Sequence, residues 1–140
     1  MSVSLHIKAD LSHVRGCLEP LLLPESMIIL VPRQDWVSVY AEQLSEDISD
    51  IEELAVPLSD LAEVLAVISQ RYTEVYRFSK GALHSLEHQI PNELPREAIS
   101  ELSTIQTLSR AGLLPDGSQT FEKEAEKPGL AEFFGRSEDE

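Results

Sequence analysis

Apolar and polar positions alternate at the start of the chain. Val3, Leu5 and Ile7 fall on one side of an extended segment and Ser4, His6 and Lys8 on the other, which predicts a half-buried strand over residues 2–8. The period then lengthens. Leu11, Val14, Leu18, Leu21 and Leu22 recur at helical spacing, with Cys17 beside the stripe and Asp10 or Ser12 able to cap the first turn. Pro20 loosens the last turns of that helix and Pro24 closes the segment. Residues 27–31, Met-Ile-Ile-Leu-Val, are apolar throughout, as in a strand covered on both faces. After the polar turn Pro32-Arg33-Gln34-Asp35, a second strand sets Trp36, Ser38 and Tyr40 on one side and Val37 and Val39 on the other.

Helical spacing returns with Ile51, Leu54, Ala55, Leu58 and Leu61, opened by Ser49-Asp-Ile-Glu52, which fits a capping box. Pro57 lacks a donor and clashes with the preceding turn, so a kink or a late helix start is expected there. Residues 64–70 form a compact apolar strand, residues 72–79 another, and Lys80-Gly81 the turn after it. Residues 82–89 fit two readings. As a strand they place His84, Leu86 and His88 on one face; as a helix they place Leu83, Leu86 and Ile90 on one stripe. The strand is favoured, because a glycine directly after a strand begins a hairpin return. Pro95 suits the first turn of a helix carrying Ile99, Leu102, Ile105 and Leu108, with Gly112 as its C-terminal cap and Pro115-Asp-Gly117 as a turn. The last 20 residues are charged, interrupted by Leu130, Phe133 and Phe134, and Pro128 can open a short helix laying these three onto the body.

The pattern predicts a single α+β domain with an antiparallel sheet. Its first six elements match the βαββαβ order of a ferredoxin-like core, followed by extra strands and C-terminal helices. Residues 1–90 form the sheet domain, residues 91–135 a helical extension packed on it, and residues 136–140 a frayed acidic tail. That fold implies no particular function.

Several of these segments resemble a family of uncharacterised bacterial proteins. The resemblance rests on Trp36-Val-Ser-Val-Tyr40, Leu54 and Leu58 in an acidic helix, Val64-Leu-Ala-Val67, and Tyr76-Arg-Phe-Ser-Lys-Gly81-Ala-Leu83. Phe121 followed by Leu130-Ala-Glu-Phe-Phe-Gly135 is similar to the family's closing helix. The resemblance implies a strand over residues 82–89 and a packed helix over residues 130–135. It brings no activity and no site residues, and the chain departs from it at Pro57.

Charge narrows the range of functions. The chain of 140 residues carries 25 acidic and 11 basic side chains, a formal net charge of −14. Phosphate backbones and anionic membranes repel such a surface, so nucleic acid and membrane are not expected partners. A basic protein is, because opposite potentials speed encounter. No Lys or Arg lies between Arg33 and Arg71, whereas Glu42, Glu46, Asp47, Asp50, Glu52, Glu53, Asp60 and Glu63 all do. Nothing at the N-terminus resembles a signal peptide, no apolar run reaches the length of a membrane span, and Cys17 is the single cysteine, so a reducing cytoplasmic setting is expected.

Candidate chemistry is sparse. His84-Ser-Leu-Glu-His88 spells the H-x-x-E-H pattern, which on a helix holds zinc by two histidines with the glutamate as general base of a hydrolase. On a strand Glu87 would face away from both histidines, and no residue is singled out as the third ligand. Cys17 reads as a small core residue, and His6 and His13 as solvated. No G-x-G-x-x-G, P-loop or G-x-S-x-G motif occurs, and no cofactor is expected. Lys127-Pro-Gly-Leu-Ala-Glu-Phe-Phe134 resembles a peptide that binds a sliding clamp through one aliphatic and two aromatic side chains, with Lys127 where the usual glutamine stands. Trp36, Tyr40, Tyr72 and Tyr76 form an interaction surface if one sheet face is open, and core if helices cover it.

The expected function is therefore a non-enzymatic acidic binding or regulatory protein: an inhibitor, immunity-type partner or adaptor. Glu42, Glu46, Asp47, Asp50, Glu52 and Glu53 steer the partner, and Trp36 and Tyr40 bury against it. The alternatives are a zinc-dependent hydrolase built on His84, Glu87 and His88, and a clamp-associated factor acting through Leu130, Phe133 and Phe134.

Overall fold

A computed structural model describes residues 2–122. In chain order they form β1 (Ser2–Ile7), α1 (Leu11–Leu18), β2 (Met27–Pro32), β3 (Val37–Ala41), α2 (Ile48–Leu61), β4 (Val64–Ser69), β5 (Thr73–Ser79), β6 (Ala82–Glu87), α3 (Leu102–Arg110) and β7 (Gln119–Glu122), with 3-10 turns at Glu19–Leu21 and Arg96–Ala98. The seven strands make one sheet in the order β6-β5-β4-β1-β3-β2-β7. Every neighbouring pair is antiparallel.

α1 and α2 lie together on one face. They close a core with Leu5, Ile7, Ile28, Leu30, Val39 and Phe78 from the strands and Val14, Leu18, Ile51, Leu54 and Leu58 from the helices. The segment after β6 crosses the opposite face and covers it in two places. Ile90, Leu94 and Ile99 pack on Trp36, Leu65, Val67 and Val75. Ile105, Leu102 and Leu108 of α3 pack on Ile29, Val31 and Tyr40. The central strands are thus buried on both sides, which is why β2 and β4 are continuously apolar. β1 is the exception to that chemistry: it alternates, yet Ser4 and His6 are fully buried with it, and the expectation of a solvated His6 is corrected.

Local signals account for most boundaries. Asp10 caps α1 by accepting from His13 N, and the 3-10 turn takes up Pro20. α2 is capped by Asp47, which accepts from Ser49 N, so the helix begins two residues earlier than a capping box at Ser49 would place it. α2 also runs unbroken through Pro57, where a kink or late start was expected. The β5–β6 hairpin turns through Lys80 (φ 52) and Gly81 (φ 77), both left-handed as a two-residue turn demands. Gly112 (φ 70) ends α3: its N–H donates to Ser109 O, and Leu113 N–H donates to Leu108 O, the pair of bonds that closes a Schellman cap. Pro95 precedes a 3-10 turn rather than a long helix, and α3 starts later, at Leu102.

β7 was not foreseen. Residues 119–122 pair with β2, and Arg15 of α1 stacks on Phe121, 4.3 Å from the ring centroid. Phe121 therefore belongs to an edge strand and not to a closing helix.

Candidate functional site

The acidic run divides into carboxylates with structural tasks and carboxylates without them. Glu42 accepts from Met27 N at 2.8 Å and ties the end of β3 to the start of β2. Asp47 caps α2, and Ser49 N–H holds its carboxyl below the usual range. Asp50 accepts from Ser45 Oγ at 2.7 Å. Glu63 pairs with Arg77 at 2.6 Å. Glu46, Glu52 and Glu53 have none of these tasks; Glu46 and Glu53 are exposed and Glu52 half-buried. One side of α2 and the loop before it thus present negative charge that no Lys or Arg of that stretch offsets.

Trp36 and Tyr40 lie elsewhere. They are 2% and 0% exposed, under the segment that crosses the second sheet face. Their proposed role as rings offered to a partner is corrected: they belong to the core, because residues 90–114 fill the face they point to. Of the other two aromatics, Tyr76 is half-buried and Tyr72 is 73% exposed.

A row of buried polar groups lies beside Tyr40. Arg33 donates through Nε to Ser38 Oγ and through Nη2 to Tyr40 Oη, each at 2.8 Å, and Tyr40 Oη donates to Ala98 O at 2.6 Å. Ser38 Oγ lies 2.8 Å from His6 Nδ1, and His6 Nε2 lies 2.9 Å from Ser4 Oγ. Each ring nitrogen of His6 thus meets a serine hydroxyl, which can donate or accept, so both are satisfied in a neutral imidazole whichever of them carries the proton. His6 is held neutral: burial, then the charge of Arg33, lowers its pKa from 6.5 to about 3. Burial raises the pKa of Tyr40 despite Arg33. Arg33 also borders an open cleft of about 520 Å³ with Trp36, Asp35, Glu93, Pro95 and Glu97. The cleft lining contains no serine, cysteine, histidine or lysine. Sequence patterning missed this row, because Ser4 and His6 sit at the polar positions of an alternating strand and read as solvent-facing, while Ser38 shares the side of Trp36 and Tyr40, whose cover the pattern leaves open.

The H-x-x-E-H residues do not converge. His84 Nε2 bonds Ser79 O and His88 Nδ1 bonds Thr73 O, at opposite ends of β5. Glu87 accepts from Arg77 Nε at 2.6 Å and from Ser85, and the Arg77 hydrogen bond holds its carboxyl below the usual range. Among the described residues no group of three His, Cys, Asp or Glu is placed to hold a metal. Cys17 packs at the margin of the helix-side core, and burial followed by the charge of Asp60 pushes its thiol up, away from the reactive thiolate. No helix of the described residues is long and apolar enough to cross a membrane. The clamp-like motif, Leu130 with Phe133 and Phe134, and residues 136–140 lie outside the described residues.

No protein-family model, curated protein or solved structure matches the chain.

Proposed function

We propose that this chain is a non-enzymatic binding protein whose α2 side meets a basic protein partner. The observation that carries the reading is the group Glu46, Glu52 and Glu53, which perform no structural task in a stretch without Lys or Arg. Such a field steers a cationic partner and repels phosphate backbones. Carboxylates of the same run anchor α2 at Asp47 and Glu63, so the charge sits on a fixed element. The scattered positions of His84, Glu87 and His88 weigh against the hydrolase reading. We also read β1 to β4 with α1 and α2 as a ferredoxin-like core; the order β4-β1-β3-β2 and two helices on one face support it.

The test separates this patch from net charge. Binding of a strongly basic protein is measured against salt for the native chain, for Glu46→Gln/Glu52→Gln/Glu53→Gln, and for Glu93→Gln/Glu97→Gln/Asp116→Asn, which removes equal charge elsewhere. The first variant is expected to bind more weakly with a shallower salt dependence than the second. Equal losses in the two variants would refute the assignment of the patch, and salt-independent binding would refute steering altogether.

A further inference from the structure

The burial of Trp36 and Tyr40 leaves the apolar half of such a contact unassigned, and the outer strands supply one. β6 is the edge of the sheet, next to β5, whose Phe78 packs into the core under α2. The register between them slips between Arg77 and Phe78: Ser85 lies opposite Arg77, Leu83 opposite Phe78, and His84 is the extra residue. In a regular strand Leu83 and Leu86, three apart, face opposite sides. The bulge removes that opposition. Leu86 lies opposite Tyr76 and Leu83 opposite Phe78, and Tyr76 and Phe78 both pack on the helix-side core. Leu83 and Leu86 therefore share the helix side of the sheet with Tyr76, and they stay 43% and 45% exposed.

α2 makes one wall of this strip. Ser59 accepts from Lys80 N through its carbonyl and from Gly81 N through Oγ, each at 2.9 Å, which seats the hairpin turn against the end of the helix. Val56 and Glu52 lie three and seven residues before Ser59, on the same face of α2. Asp60 reaches over the turn, where a Cβ on Gly81 would meet its Oδ1 at 3.0 Å. At the other margin Glu74 accepts from the Tyr76 hydroxyl. The strip is thus an apolar floor of Tyr76, Leu83 and Leu86 bordered by the carboxylates of Glu52, Asp60 and Glu74.

We propose that this strip docks an amphipathic basic helix of the partner, with its apolar face on Leu83, Leu86 and Tyr76 and its cationic flank toward Glu52 and Asp60. A helix laid in an apolar groove with charge-matched margins is a recurrent mode of peptide recognition. The inference rests on the binding reading above and names the chemistry of the partner. Charge complementarity selects this occupant over a second copy of the chain, which would bring another acidic α2 against the first.

The probe is a synthetic helical peptide with leucine on one face and lysine on the other, followed by fluorescence anisotropy on the full chain. Its counterpart carries glutamate in place of lysine. The lysine peptide is expected to bind and the glutamate peptide not to. Leu83→Ser/Leu86→Ser and Leu83→Asp/Leu86→Asp are each expected to weaken binding about tenfold or more, with thermal melts confirming that both variants fold. Unchanged binding in the leucine variants overturns the strip while leaving the acidic patch standing. Absence of lysine-peptide binding overturns the strip and counts against the patch as well. A concentration-dependent dimer lost in the leucine variants would assign the face to a second copy and overturn the proposal.

Discussion

Acid should weaken this fold earlier than its carboxylates alone require, and His6 is the cause. Its imidazole is fully buried between Ser4 and Ser38, with Arg33 beyond, and its pKa falls from 6.5 to about 3. The folded state therefore refuses a proton that the unfolded chain accepts below pH 6.5. Stability falls as pH drops from about 6.5 toward 3, with a limiting slope of about 1.4 kcal/mol per pH unit. Between pH 7 and pH 5 the loss amounts to about 2 kcal/mol, a large share of the stability of a small domain. The depressed carboxylates, Asp10, Asp47 and Glu87, act in the same direction but at lower pH. Urea unfolding at half-unit steps from pH 7.5 to pH 5 measures the slope. His6→Asn keeps a polar atom near Nδ1 without a titrating ring, and its stability should lack the His6 part of that slope, whatever its absolute value. Parallel curves for the native chain and His6→Asn would refute the assignment.

Tyr40→Phe removes the acceptor of Arg33 and the donor to Ala98, and is expected to cost about 1–3 kcal/mol in urea unfolding. Limited proteolysis should then cut first within residues 90–114, since Tyr40 ties that segment to the sheet. Asp47→Ala deletes the cap of α2 and should lower the urea midpoint of the same unfolding curves; an unchanged midpoint would show that the cap contributes nothing. Lys80→Gly relieves a left-handed non-glycine residue in a two-residue hairpin and should raise the melting temperature; a lowered one would show that the Lys80 side chain contributes more than its backbone costs.

Legibility in the sequence followed how local each cause is. Strand alternation, the helical stripe of α2 and the Lys80-Gly81 turn are set by residues a few positions apart, so patterning located them. The strand over 82–87 follows from that turn in the same way. The misreadings share a different origin. His6 and Ser4 occupy polar positions of an alternating strand, and only the chain more than 80 residues later decides that their face is covered. The same cover turned Trp36 and Tyr40 from candidate contacts into core. β7 is four residues of mixed polarity whose strand character comes from pairing with β2, a cause absent from its own composition. The candidate site was legible in its charge and illegible in its apolar part. Leu83 and Leu86 stand three apart, and a bulge at His84 is what places them side by side.

The most direct test locates the contact. Amide chemical shifts of the full chain are followed by nuclear magnetic resonance as the leucine–lysine peptide is added. Shifts concentrated in β6, at Glu74 and Tyr76 of β5 and along Glu52, Val56 and Asp60 of α2 are the expected result. Shifts confined to the cleft at Arg33 and Glu97, or spread evenly over every exposed carboxylate, would contradict it.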